Sequence, residues 1–171
     1  LDAMAAVAAA WARRHGGERG LTTGRWGADY VAGQRVFRAE DCAGRLLAFV
    51  TFHVTRQDWV LDLVRFAEAV PDGTLYLLVQ TAIEAARRDG ATRFSLAAVP
   101  AESFGLGGLL GRKLKPFSQK ARGLHQLKST FAPRWEPRYL VYPSLASLPL
   151  VILALMRAHG GRSVQRSEKL S

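Results

Sequence analysis

A carboxylate stands inside an apolar run at Val60-Leu-Asp-Leu-Val64, where a strand would carry Asp62. Burying an unpaired carboxylate is costly, so such a group needs a cation or several hydrogen-bond donors. Two kinds of partner are open to it: a cation of the chain (Arg93, Lys128 or Arg138) or the ammonium group of a bound ligand. Arg65 falls on the opposite face of a regular strand, so a direct pair with Asp62 would need a bulge. A second concentration of chemistry is Phe131-Ala-Pro-Arg-Trp-Glu-Pro-Arg-Tyr-Leu140. Each proline there fixes its own φ and pushes the preceding residue toward an extended conformation. Arg134, Glu136 and Arg138 are thus presented from a stiff backbone that Trp135 and Tyr139 can wedge against a core. Read on residue types, this is an edge strand with an ion pair between Glu136 and Arg138. Just upstream, Lys120, Arg122, His125 and Lys128 gather positive charge around Leu124, Leu127 and Phe131, and Lys113 and Lys115 extend the same surface. Such a face is either solvated or a phosphate-contacting surface whose affinity falls steeply with salt.

The elements that must position these groups are legible from periodicity. Asp2–Arg14 has strong helix formers, with Asp2 as a cap and Gly16-Gly17 as the stop, and its alanine face implies close packing on a neighbour. Leu21–Trp26 and Gln34–Arg38 read as short strands, and Glu40-Asp-Cys-Ala-Gly44 supplies turn residues. Leu46–His53 and Trp59–Phe66 form an antiparallel pair joined by Thr55-Arg-Gln-Asp58. Thr74–Arg88 repeats Leu75, Leu78, Val79, Ala82, Ile83 and Ala86 at helical spacing, with Asp72 as its N-cap, a Glu84–Arg88 pair on the outer face and Gly90 closing it. Arg93–Val99 is a buried strand ended by Pro100, and Glu102–Lys115 is a Gly-rich loop. Ser118 caps a short helix that precedes the Trp135 strand. Ser144–His159 is a terminal helix interrupted by Pro149, and Gly160–Ser171 is a flexible tail. The sum is an α+β fold with a mixed, mainly antiparallel sheet flanked by helices.

Size and charge narrow the partners. A chain of 171 residues with 49% hydrophobic and 22% charged residues builds one ordinary core and is not of disordered composition. Its net charge of +10 points to a polyanion, either nucleic acid or an anionic lipid surface. A lone Cys42 excludes an intramolecular disulfide and a multi-cysteine metal site, and no His/Asp/Glu cluster has ligand spacing, so no metal is expected. The apolar stretch Ser144–Met156 is too short to span a bilayer, and Leu1–Trp11 lacks a basic leader region. The opening leucine suggests a fragment of a longer protein.

The run Gly123-Leu-His-Gln-Leu-Lys-Ser-Thr-Phe131, then Pro133, Trp135-Glu-Pro-Arg-Tyr-Leu140, resembles the C-terminal signature of the phosphatidylglycerol lysyltransferases, the aminoacyl-tRNA-dependent enzymes also called multiple peptide resistance factors. Val60-Leu-Asp-Leu-Val-Arg65, Pro71-Asp-Gly-Thr74 and Arg93-Phe-Ser-Leu96 match upstream in the same order. The resemblance implies a GNAT-like acyltransferase subdomain over 21–143, the second of a tandem pair, with an N-terminal helix and linker at 1–20 and a terminal helix and tail at 144–171. It implies transfer of lysine or a similar amino acid from aminoacyl-tRNA to phosphatidylglycerol, at the cytoplasmic side of a bacterial inner membrane and with no cofactor. Asp62, Glu136 and Lys128 would be catalytic, and Arg65, Asp72, Ser95, His125 and Arg138 would bind substrate. Lys113, Lys115, Lys120 and Arg122 would meet tRNA or lipid phosphate. The family has a longer, aromatic-rich segment before Gly123-Leu124 and a basic residue where His125 stands. The stretch Ala67-Glu-Ala-Val-Pro-Asp-Gly73 makes a poor pyrophosphate cradle, which counts against an acyl-CoA-dependent N-acyltransferase. A non-catalytic domain that docks tRNA or an anionic membrane is the remaining alternative.

Overall fold

The computed structural model describes residues 1–17, 24–98, 125–137, 139, 141–151 and 153–154. Helix α1 (Asp2–His15) is followed by the short α2 (Ala28–Ala32). Three strands come next, β1 (Arg35–Glu40), β2 (Leu46–Val54) and β3 (Asp58–Phe66), then helix α3 (Thr74–Arg88) and strand β4 (Arg93–Ser95). They form one mixed sheet in the order β1-β2-β3-β4. The first three strands are antiparallel, and β4 runs parallel to β3.

The sheet separates two apolar layers. On one face Ala48, Val50, Phe52, Trp59 and Leu61 pack on Leu78, Ala82 and Ala86 of α3. This is the stripe whose spacing marks the helix in the sequence. On the other face Phe49 and Leu63 meet Met4, Val7 and Ala8 of α1 and Val31 of α2. Burying a Leu, Val or Phe side chain of this kind is worth about 1.5–3 kcal/mol, so these two layers hold the sheet between its helices. The alanines of α1 let its backbone lie close to the sheet. Gly16 ends α1 at φ +79, a conformation glycine adopts without a steric cost.

The ladder between β2 and β3 carries one irregularity. Val50 pairs with Val64 but Phe52 pairs with Leu61, so Asp62 and Leu63 together oppose the single residue Thr51. This is a β-bulge. The Thr51 hydroxyl accepts the Leu63 N–H at 3.1 Å, which satisfies the donor that the bulge removes from the ladder. Trp59 and Leu61 lie on the α3 side, whereas beyond the bulge Leu63 lies on the α1 side.

Several expectations are corrected. Residues 24–27 join no strand; they form an extended lead into α2. Residues 132–137 likewise join no strand: Pro133 and Pro137 lack the N–H that a ladder would use, and Trp135 and Tyr139 are exposed instead of wedged on a core. The Asp2 cap is not found, since Leu1 occupies the N-cap of α1 with no side-chain bond. Asp72 does not cap α3; that position is Gly73, at φ +84. Glu84 accepts a hydrogen bond from Gln80. β4 covers only the first half of the expected Arg93–Val99 strand, because Ala97 turns to φ +60. The start of the terminal segment is a 3-10 turn at Leu145–Ser147 leading into helix at 148–151. The loop Glu102–Lys115, the cap Ser118, the break at Pro100, the first half of Leu21–Trp26 (residues 21–23) and the tail 160–171 lie outside the described residues. Among the described residues no helix is long and apolar enough to cross a membrane.

Candidate active site

Asp62 is the centre of the first of two polar clusters. Its side chain is 10% exposed. Oδ2 accepts from the Tyr30 hydroxyl at 2.8 Å and from Gln34 Nε2 at 3.0 Å, and lies 3.4 Å from His53 Nε2. Oδ1 accepts the Gly24 N–H at 3.0 Å. His53 Nε2 also lies 3.1 Å from the Tyr30 hydroxyl. Burial, and then donation to the neighbouring carboxylate, push the Tyr30 phenol above its ordinary value. Asp62 therefore meets the cost of burial with neutral and backbone donors and a histidine. Arg93 pairs with Asp58 at 3.8 Å. The other expected cations are also placed elsewhere or undescribed: Lys128 bonds backbone carbonyls, and Arg138 lies outside the described residues.

The bulge corrects the expectation for Arg65. Because Asp62 and Leu63 share one paired position, Asp62 and Arg65 come to the same face of the sheet. Arg65 is 5% exposed, stacks 4.0 Å above the Trp11 ring and donates to Val64 O and, at 3.3 Å, to Gly24 O. Asp62 takes the N–H of Gly24 while Arg65 takes its C=O, so the two charged side chains clamp one residue from both sides. A Cβ at Gly24 would collide with the Asp62 carboxylate, which explains the glycine there.

The second cluster lies where β4 ends. The ladder between β3 and β4 stops at the pair Val60 and Ser95, while β3 runs on to Phe66. The parallel strands thus part at their carboxyl ends, the usual place for a ligand in an open sheet with parallel strands. Lys128, on the helical stretch 125–129, is 3% exposed and its Nζ donates to Ala97 O and Ala98 O at 3.2 Å each. Burial lowers its amine from 10.5 to about 8. Ser95 Oγ accepts the Ala97 N–H at 3.2 Å. One helical turn before Lys128, His125 stacks on Trp135 with ring centroids 4.8 Å apart and lies 3.3 Å from Ser129 Oγ through Nδ1.

The remaining expected residues divide. Glu136 is exposed and pairs with Arg134 at 2.9 Å, and its expected partner Arg138 lies outside the described residues. Asp72 is exposed in the turn before α3. Lys113, Lys115, Lys120, Arg122 and Arg138 lie outside the described residues. Residue types alone missed Gly24, Tyr30, Gln34, His53 and Ala97. His53 and Asp62 become neighbours through the pairing of His53 with Val60, two residues from Asp62. A faint signal existed for Tyr30 and Gln34, whose i,i+4 spacing puts both on one side of a helix end.

The family model described as "Phosphatidylglycerol lysyltransferase, C-terminal" matches residues 1–142. The chain belongs to that family. Among solved structures, one assigned as the C-terminal domain of a lysylphosphatidylglycerol synthetase from Agrobacterium fabrum superposes with a TM-score of 0.78 at 26% identity, over 94% of this chain and 50% of that one. The lysylphosphatidylglycerol synthetase structure from Bacillus licheniformis has a TM-score of 0.75 at 22% identity, over 94% of this chain and 51% of that one, and shares the fold. No curated protein matches the chain in sequence. The phosphatidylglycerol lysyltransferase C-terminal fold is GNAT-like, as the resemblance implied, and this chain spans about half the length of the two solved relatives.

Proposed function

We propose that this chain is the C-terminal catalytic part of an aminoacyltransferase that moves an amino acid, lysine or one similar, from aminoacyl-tRNA to a hydroxyl of phosphatidylglycerol. It would work at the cytoplasmic face of a bacterial inner membrane. The observation that carries the reading is the buried Lys128 amine, held by two backbone carbonyls where β3 and β4 part. Family membership supports the same reaction class. A net charge of +10 fits both polyanionic reactants, the tRNA and the lipid headgroup.

The chemistry rests on the number of donors. A neutral amine has two N–H groups, and the carbonyls of Ala97 and Ala98 accept two. Its lone pair is then left to take the proton of the attacking lipid hydroxyl, and an amine at about 8 is suited to that near neutral pH. The lipid oxygen forms a bond to the ester carbonyl carbon. The ammonium so formed has a third N–H, which can hold the developing oxyanion. Collapse breaks the bond to the ribose oxygen, and that oxygen receives the proton from Lys128. The aminoacyl ester is already activated, so positioning supplies much of the rate. Asp62, whose oxygens already accept from the protein's own groups, acts with Arg65 by fixing the Gly24 segment and Tyr30. Glu136, Asp72, His125 and Arg138 would contact substrate, and the lysines and arginines at 113, 115, 120 and 122 would meet phosphate.

The test is transfer of labelled amino acid from a mixed aminoacyl-tRNA pool to phosphatidylglycerol vesicles. It is run with this chain and with the full-length protein, with acetyl-CoA as competing donor. Labelled lipid, lost in Lys128→Met and reduced in Asp62→Asn, is the expected result. Transfer that survives Lys128→Met would remove the lysine from the mechanism. Labelling from acetyl-CoA alone would move the protein to the acyl-CoA class. Salt-sensitive binding to tRNA or vesicles without any transfer would leave only a docking domain.

A further inference from the structure

The turn after β4 has a conformation that its residues do not favour by themselves. Ala97 sits at φ +60, the left-handed region in which a Cβ is disfavoured. Its N–H donates to Ser95 Oγ, the kind of short-range bond by which serine closes a turn. In an extended strand successive carbonyls point to opposite sides. Here the carbonyls of Ala97 and Ala98 converge on the one Lys128 amine. Both oxygens would be lost to the amine if residue 97 returned to the strand conformation.

We propose that Ser95 is a positioning residue for Lys128: its hydroxyl holds the Ala97 turn, and the turn supplies the paired carbonyls that keep the amine buried and aimed at the acyl-transfer site. This deepens the proposed function and rests on it for the aim of the amine, though not for the turn itself. It also reassigns Ser95, which the family resemblance places among substrate-binding residues. The lowered basicity of Lys128 comes from burial alone. Among the described residues, the ionisable groups on the neighbouring elements are His125 on its own helix, Arg93 on β4 with its partner Asp58, and Tyr76, Glu84, Arg87 and Arg88 on α3, where the Tyr76 ring meets Phe131 at 6.0 Å.

Competitive acetylation read by peptide mass spectrometry measures the titration of Lys128 against the other lysines without need of any substrate. In the unaltered chain the midpoint is expected at about 8. In Ser95→Ala the turn loses its acceptor, the long lysine side chain reaches water, and the midpoint rises by about one pH unit or more. Labelling near neutral pH then slows about tenfold. Ser95→Thr keeps the hydroxyl and the midpoint, and Ala97→Gly keeps both because glycine adopts positive φ freely. The pH–rate profile of transfer should move with the midpoint in each variant. An unchanged or lower midpoint in Ser95→Ala, or a raised one in Ser95→Thr, overturns the proposal. If Ser95→Ala does not fold, Ala97→Val carries the same test, since a β-branched residue resists positive φ. Labelling as expected with no transfer sustains the turn and sinks the transferase reading. Transfer with a midpoint indifferent to Ser95 does the reverse.

Discussion

Replacing Lys128 by methionine separates a lysine kept for chemistry from one kept for the fold. The amine falls from 10.5 in the unfolded chain to about 8 in the folded one. Below the lower value both states hold the proton, and the folded state bears the full cost of the buried charge. Between the two values the unfolded chain still holds the proton while the folded chain has released it, so stability rises with pH across that window. The gap corresponds to about 3 kcal/mol. Methionine fills a similar volume without charge and removes that cost. It also leaves the Ala97 and Ala98 carbonyls without their donor, at about 1 kcal/mol each. The expected net effect at neutral pH is a gain of about 1 kcal/mol, together with loss of the rise in stability between about 8 and 10.5. Urea unfolding followed by tryptophan fluorescence at neutral and alkaline pH reads both quantities, and lipid transfer on the same samples reads function. The reasoning is refuted if the variant loses more than about 3 kcal/mol at neutral pH, the cost of a lysine that pins the structure, or if the alkaline rise persists without the amine.

Three further outcomes rest on contacts of the same kind. Gly24→Ala drives a Cβ into the Asp62 carboxylate and should cost about 1–3 kcal/mol in urea unfolding, with transfer falling in parallel as the clamp opens. Thr51→Val leaves the Leu63 N–H of the bulge buried without its acceptor and should cost about 1–3 kcal/mol, while Thr51→Ser retains most of the stability. Phe52→Ala opens the layer between the sheet and α3 and should cost about 3–5 kcal/mol, read by thermal or urea unfolding.

Where a pattern is local, the sequence carried it to the structure. Thr74–Arg88 repeats its apolar residues at helical spacing and is a helix over those residues. The pair Leu46–His53 and Trp59–Phe66 extends by one residue each, to Leu46–Val54 and Asp58–Phe66, because alternation and a polar turn specify a hairpin without outside help. The two prolines around Trp135 have the stiffness of an edge strand. They stiffen a segment outside the sheet instead, since the same missing N–H groups that accompany a fixed φ also deny it a ladder.

By itself the sequence determined the α+β order of elements, the core stripes of α3 and the central strands, the family signature, and that Asp62 must find unusual partners. Only the tertiary structure decided which partners. The bulge opposite Thr51 turned Asp62 and Arg65 to one face, and packing of α2 brought Tyr30 and Gln34, far along the chain, onto the same carboxylate. The left-handed turn at Ala97 put two carbonyls on Lys128 rather than a carboxylate. Bulges and single left-handed residues shift register or direction by one residue, and periodicity averages over several. Such features are therefore fixed by how distant elements pack and hydrogen-bond, not by the pattern within any one of them.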